Sequence, residues 1–160
     1  VRRMEEKVQE LLKLVPYPLV LLMTRRGEEI NGMPLSWFSQ VSKEPRLVMA
    51  AVMKSRYSHG MVAETGRFAI VFLKPSQKNL ITRFKGSDRK ERFRGLMVGN
   101  APSGCPILED SIGYLDCRLI ESHTPGDHTL FIAEITDAKV FSKGSALTMQ
   151  DFGLDYHYGI

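Results

Sequence analysis

The residues best suited to chemistry lie in three short stretches: Asn31-Gly32-Met33-Pro34-Leu35-Ser36-Trp37, Ser55-Arg56-Tyr57-Ser58-His59-Gly60 and Gly126-Asp127-His128. The second stretch joins the end of an expected strand to the start of an expected helix, where free backbone N–H groups and the helix dipole favour a phosphate. Arg56 adds a planar, permanently charged donor fork. With the hydroxyls of Ser55 and Ser58, it could hold one phosphate monoester without a glycine-rich loop. The plainer reading has Ser58 as a helix N-cap and Arg56 as a surface charge, since serine is a preferred cap. The first stretch combines an amide, a hydroxyl and the only tryptophan of the chain. That mixture suits a planar heteroaromatic ligand, which needs fixed polar partners along one edge and apolar contact over its rings. Its plainer reading is a turn entering a strand, with Trp37 in the core. For His128 the plainer reading is a strand-entry residue behind a Pro-Gly-Asp turn.

Several other chemistries find no support. The chain has no GxGxxG, GxxxxGK, HExxH or GxSxG sequence, which removes the familiar dinucleotide, nucleotide, zinc-protease and serine-hydrolase signatures. Use of a nicotinamide remains open, because a nicotinamide stacked on another bound ring system needs no Rossmann domain. Cys117, His123 and His128 fit no zinc-ligand spacing. Cys105 and Cys117 are too few for a disulfide framework, so a reducing cytoplasm is expected. The net charge of +4 would suit nucleic acid if it formed a basic stripe. The densest run, Arg83 to Arg94, is instead broken by Asp88 and Glu91 and reads as a solvated helix face. Neither nucleic acid nor a membrane is expected as a partner. No apolar run approaches the roughly 20 residues that span a bilayer, and Val1 to Leu14 lacks the unbroken apolar core of a signal peptide.

The elements that must position these stretches follow from periodicity. With 160 residues, 43% of them hydrophobic, one domain over residues 1–160 with a single core is expected. Val8, Leu11, Leu12 and Val15 recur at helical spacing and predict an amphipathic opening helix stopped by Pro16 and Pro18. Strands are predicted at Leu19 to Thr24, Leu47 to Met53 and Phe68 to Leu73, with a polar turn at Arg25 to Glu29. Helices are predicted at Ser58 to Glu64, stopped by Gly66, and at Gln77 to Phe84, capped by Ser76 with Leu80 and Phe84 on one face. Gly95 to Pro106 reads as a long surface loop. Leu115, Cys117 and Leu119 alternate with Asp116 and Arg118, predicting a strand with one buried and one wet face. Thr129 to Ile135 is a last strand, apolar on both sides. Strands apolar on both faces with links too varied for regular helical crossovers indicate a closed barrel, its outer face covered by helices or a second subunit.

With these residues and elements in place, the chain resembles the flavin reductase-like FMN-binding split-barrel family, especially its flavoredoxin branch. The resemblance is carried by N-x-M-x-x-S-W at Asn31 to Trp37, Pro45, S-R-Y-S at Ser55 to Ser58, E-T-G-R-F at Glu64 to Phe68, and G-D-H-T-L-F-I-A-E-I at Gly126 to Ile135. It implies a mainly β (α+β) fold, an antiparallel split β-barrel with flanking helices. It further implies FMN at a homodimer interface, with Asn31, Ser36 and Trp37 near the isoalloxazine and Met33 and Ala51 among the other cofactor-binding residues. Ser55, Arg56 and Ser58 would meet the phosphate. Arg92, where relatives often carry a lysine, would be a further ligand contact, and His128 would lie at the flavin or nicotinamide side as the candidate catalytic residue. Pro34 stands where relatives often have threonine. Tyr158 would be an aromatic lid near a C-terminus that also holds Phe152, Tyr156 and His157. The implied activity is hydride transfer from NADH or NADPH to FMN and onward to free flavin, oxygen or a partner protein. An electron carrier between a protein donor and a protein acceptor is the alternative, with a non-redox binding module using the basic Arg83 to Arg94 run ranked behind both.

Overall fold

In the computed structural model, described over residues 1–153, strands with two apolar faces shape the molecule. The elements in chain order are α1 (Met4–Leu12), β1 (Val20–Arg26), β2 (Glu29–Leu35), β3 (Phe38–Ser42), β4 (Leu47–Met53), α2 (Tyr57–Thr65), β5 (Arg67–Phe72), α3 (Lys78–Lys85), β6 (Val98–Asn100), β7 (Pro106–Leu108), β8 (Gly113–His123), β9 (His128–Val140) and α4 (Met149–Phe152). Seven strands form one antiparallel sheet in the order β2-β1-β5-β8-β9-β4-β3. The two edge strands, β2 and β3, are joined by Ser36 and Trp37 alone. So short a link between opposite edges brings the sheet round on itself, giving the split barrel with its seam at this dipeptide.

Side chains alternate across the strands and fill two separate cores. Val20, Leu22, Leu35, Val52, Phe68, Ile70 and Phe131 pack inside the barrel. Leu21, Met23, Ala69 and Val71 point the other way, against Leu80, Ile81 and Phe84 of α3, Ile107 and Leu108 of β7, and Leu147 and Met149. The continuous apolar runs in β1 and β5 thus serve one core on each face. On β4 and β9 the outer face has no such cover among the described residues: Met49, Met53, Leu130 and Ile132 are only half-buried.

Several sequence expectations change. The Arg25 to Glu29 turn shrinks to Gly27 and Glu28, since both arms of the β1–β2 hairpin continue through the charged residues. Asn31 to Leu35 is therefore strand, not a turn entering one. β3 escaped prediction because it is a largely exposed edge. The Gly95 to Pro106 segment contains β6 and reaches β7, and it buries Ala101 and Cys105. Asp116, expected on a wet face, is buried; its carboxylate accepts from Ser103 N at 2.9 Å and Ser103 Oγ at 2.6 Å, which satisfies the charge locally. Ser76 lies within a short 3-10 turn before α3 instead of capping it. Gly66 ends α2 as expected, in the left-handed conformation at φ 68° that glycine adopts without strain. α1 forms where predicted, but none of its residues is buried. No helix among the described residues is long and apolar enough to cross a membrane.

Gly32 fixes the distance between β2 and α3. A Cβ there would meet Met23 Sδ at 2.6 Å and Phe84 Cε1 at 2.8 Å. Gly32→Ala is expected to destabilise the fold by about 1–3 kcal/mol through overpacking, read as a lower midpoint in urea with an unchanged slope.

Candidate functional site

The link that closes the barrel, the turn after β4 and the start of β9 meet at one end of the molecule. β4 and β9 pair with Met53 opposite His128, and Lys54 N donates to Asp127 O at 3.0 Å. The Ser55-Arg56 turn therefore follows directly from the His128 end of the sheet. Trp37, half-buried, lies beside His128 with ring centroids 4.5 Å apart. Its carbonyl accepts from Ala51 N at 2.9 Å, which ties the seam to β4. Trp37 is thus half-buried against His128 and not the core residue of the plainer reading.

A pocket of about 150 Å³ opens where β2, α2 and α3 approach one another. It is lined by Asn31, Met33, Pro34, Ser55, Arg56, Tyr57, Ser58, Phe84 and Arg92. Met33 shares its side chain with the barrel core. Arg56, not Ser58, occupies the cap position of α2, and no side chain caps that helix. Ser58 sits inside the first turn with its hydroxyl turned into the protein, where Asn31 Nδ2 donates to it at 2.9 Å. Asn31 Oδ1 in turn accepts from Arg92 Nη1 at 2.9 Å. Arg92 also donates to the carbonyls of Gly32 and Gly86, at 2.9 and 2.7 Å. Arg92 therefore leaves the basic run that reads as a solvated face. Its neighbour Phe93 packs edge-on against Phe84, with centroids 5.2 Å apart, and this anchors the segment.

The electrostatics of the pocket are one-sided. Among the described residues its lining contains no carboxylate. Burial, then the charges of Arg89 and Arg56, pushes Arg92 below the ordinary guanidinium value, so all three cations act on the same small space. An anion there relieves their mutual repulsion.

His128 is held differently. Its Nδ1 lies 2.6 Å from Asp127 Oδ1, and because an ionised carboxylate can only accept, Nδ1 carries the proton. The hydrogen bond from His128 holds the Asp127 carboxyl below its ordinary range. In the neutral ring Nε2 is then an acceptor. His59, by contrast, turns toward the barrel, with Nε2 2.6 Å from Thr129 Oγ1 and its ring against Phe131. Burial lowers its pKa, as does Lys54, which suits a packed neutral histidine.

Four buried side-chain polar atoms find no hydrogen-bond partner among the described residues: Ser36 Oγ, Arg56 Nε, Arg92 Nε and His128 Nε2. Each such atom costs about 1–3 kcal/mol unless something satisfies it. All four belong to residues singled out from the sequence. They supply three donors and one acceptor suited to a ligand with an anionic group and a polar ring edge, which fits FMN. The other expected residues are less directly engaged: Ala51 is buried in β4, Ser55 is exposed at the pocket mouth, and Tyr158 lies outside the described residues. Tyr57, Phe84 and Asp127 were not among the candidates. No group of three potential metal ligands occurs among the described residues.

The chain is similar to known proteins over most of its length. Residues 12–157 match the model of the flavin reductase like domain. A flavin reductase from Pseudomonas putida is 30% identical over 119 residues, covering 74% of this chain and 69% of that protein. Among solved structures, an FMN-binding protein from Thermus thermophilus superimposes with a TM-score of 0.74 at 26% identity, covering 80% of this chain and 72% of that one. The flavin reductase HpaC complexed with NADP+ gives a TM-score of 0.81 at 25% identity, covering 93% and 95%. The chain spans about a quarter of the length of the diflavin flavoproteins that it also matches.

Proposed function

The chain belongs to the flavin reductase-like family, and on that premise we propose that it binds FMN and acts as an NAD(P)H-dependent flavin oxidoreductase over one domain. The observation that carries this reading is the set of four orphaned buried atoms, two on arginines that line the pocket and two on Ser36 and His128, which flank or touch Trp37. Arg56, with the N-terminal amides of α2 and the Ser55 hydroxyl, would hold the phosphate. Arg92 Nε would add a donor from the opposite wall. Ser36 Oγ and the face of Trp37 would fix the ring system at the barrel seam. His128 Nε2, with Asp127 setting its tautomer, would accept a hydrogen bond from an N–H of the flavin or of the nicotinamide carboxamide. It orients; no proton transfer need pass through it. FMN, when bound, supplies the two-electron chemistry.

A homodimer completes the proposal. The outer face of β4 and β9 presents Met49, Met53, Leu130 and Ile132, half-buried beside Trp37 and Ala51, and an apolar sheet face next to a ligand site is a natural subunit contact. The two buried free cysteines suit a cytoplasmic setting.

The test is a titration of the purified protein with FMN, followed by anaerobic mixing with excess NADH or NADPH while the flavin band near roughly 450 nm is followed. Stoichiometric uptake and bleaching are expected. Failure to take up FMN overturns the proposal. Uptake without bleaching by either nucleotide shifts the reading to an electron carrier served by protein partners.

A further inference from the structure

We propose that Arg89, braced on Tyr57, lets this site take FAD as well as FMN by meeting the second phosphate of the dinucleotide. The inference rests on the flavin reading above and adds a specificity-determining residue to it.

The lining of the 150 Å³ pocket includes two arginines, Arg56 and Arg92, enough to match one phosphate group. A third guanidinium stands just beyond them. Arg89 Cζ lies 3.7 Å from the centroid of the Tyr57 ring, and its charge acts on Arg92. Tyr57 itself lines the pocket, so its ring is a wall shared by the phosphate-sized space and the Arg89 side. The ring is not free to swing. Its hydroxyl donates to Glu29 Oε2 at 2.7 Å and accepts from Arg26 Nη2 at 3.1 Å. A guanidinium stacked on a fixed ring keeps its N–H groups in plane and available at its rim, which lowers the entropy lost on binding an oxyanion.

Past Arg89 the surface opens into a cavity of about 620 Å³ lined by Glu29, Ile30, Ser87, Asp88, Arg89 and Lys90. Among the described residues neither of its carboxylates forms an ion pair with Arg89, although Glu29, whose pKa is held low first by Tyr57 and Arg26, also feels the Arg89 charge. Glu29 is engaged by Arg26 and Tyr57, and Asp88 Oδ1 accepts from Lys90 N at 3.1 Å. A monophosphate ends at Arg56 and Arg92 and gains little from a cation farther out. FAD carries its negative charge on two phosphates, so one charge is displaced outward to where Arg89 stands, with room beyond it for the adenosine.

Equilibrium dissociation constants of FMN, FAD and riboflavin, read from flavin fluorescence, test this in the wild-type protein and in Arg89→Ala, Tyr57→Phe and Tyr57→Leu. Arg89→Ala is expected to weaken FAD about tenfold, FMN by less than about threefold through lost long-range charge, and riboflavin not at all. Tyr57→Leu is expected to move FAD in the same direction because the brace is gone. Tyr57→Phe, which keeps the ring but removes its hydrogen bonds to Glu29 and Arg26, is expected to give an FAD to FMN ratio between those of the wild type and Tyr57→Leu. Equal losses of FAD and FMN in Arg89→Ala, or no loss of FAD, overturn the assignment. A wild-type protein that takes no FMN shows instead that the underlying flavin reading is wrong, before any variant is compared.

Discussion

Arg56→Ala is expected to weaken FMN about 10- to 100-fold, the range of a charge-assisted hydrogen bond of roughly 1.5–3 kcal/mol, while riboflavin changes by no more than about twofold. The asymmetry follows from where the side chain stands. Arg56 occupies the cap position of α2 with φ −73° and ψ 140°, an extended conformation open to alanine. Its backbone N–H donates to Met53 O at 3.0 Å whatever the side chain. The guanidinium caps nothing, and its buried Nε has no partner among the described residues. Truncation should therefore cost the apo fold little. What disappears is a cation beside the free amides of a helix start, and only a ligand with a phosphate notices. Thermal unfolding gives a second readout: the FMN-induced rise in Tm should shrink while the apo Tm stays put. Equal loss of affinity for riboflavin and FMN would remove Arg56 from the phosphate site.

The legible part of this structure is the part encoded locally. Unbroken apolar runs in β1 and β5 signal strands with two covered faces, and the two cores confirm why they are needed. The seam was readable as an odd cluster of Asn31, Ser36 and Trp37, and Arg56 as a cation at a strand-to-helix turn. Long-range pairing is what the sequence conceals. Asp116 looks wet until Ser103, brought in by the β6–β7 excursion, satisfies it. Arg92 is camouflaged among six basic residues, and only the packing of Phe93 on Phe84 turns it inward toward Asn31. Tyr57 reads as an ordinary helix-start residue because its partners, Arg26, Glu29 and Arg89, come from two distant segments. The cap reading of Ser58 fails for the complementary reason. Serine at a helix start is a good cap by statistics, but here a buried amide from another strand claims its hydroxyl.

That claim changes what Asn31 does. The resemblance implies a contact with the flavin ring, yet the side-chain amide, 1% exposed, already donates one hydrogen bond to Ser58 and accepts one from Arg92. Asn31 thus joins α2 to the segment after α3 across β2, and holds two of the pocket walls at their spacing. Asn31→Ala is expected to cost about 1–3 kcal/mol of stability, because Ser58 and Arg92 each lose a buried partner. It should weaken FMN by about tenfold or more, the effect of walls displaced by a fraction of an ångström. Riboflavin should suffer much less, since the displaced groups face the phosphate. Equal losses for the two ligands would instead place Asn31 at the ring. The link to Arg92 has its own signature in a double-mutant cycle. Arg92→Ala should also weaken FMN, and the double variant should bind FMN little worse than the weaker single one, because each substitution already opens the same latch. A coupling energy within about 0.5–3 kcal/mol marks residues that act through one another. Strictly additive losses would mean that Asn31 and Arg92 meet the ligand independently, and that the hydrogen bond between them carries no part of the site's affinity.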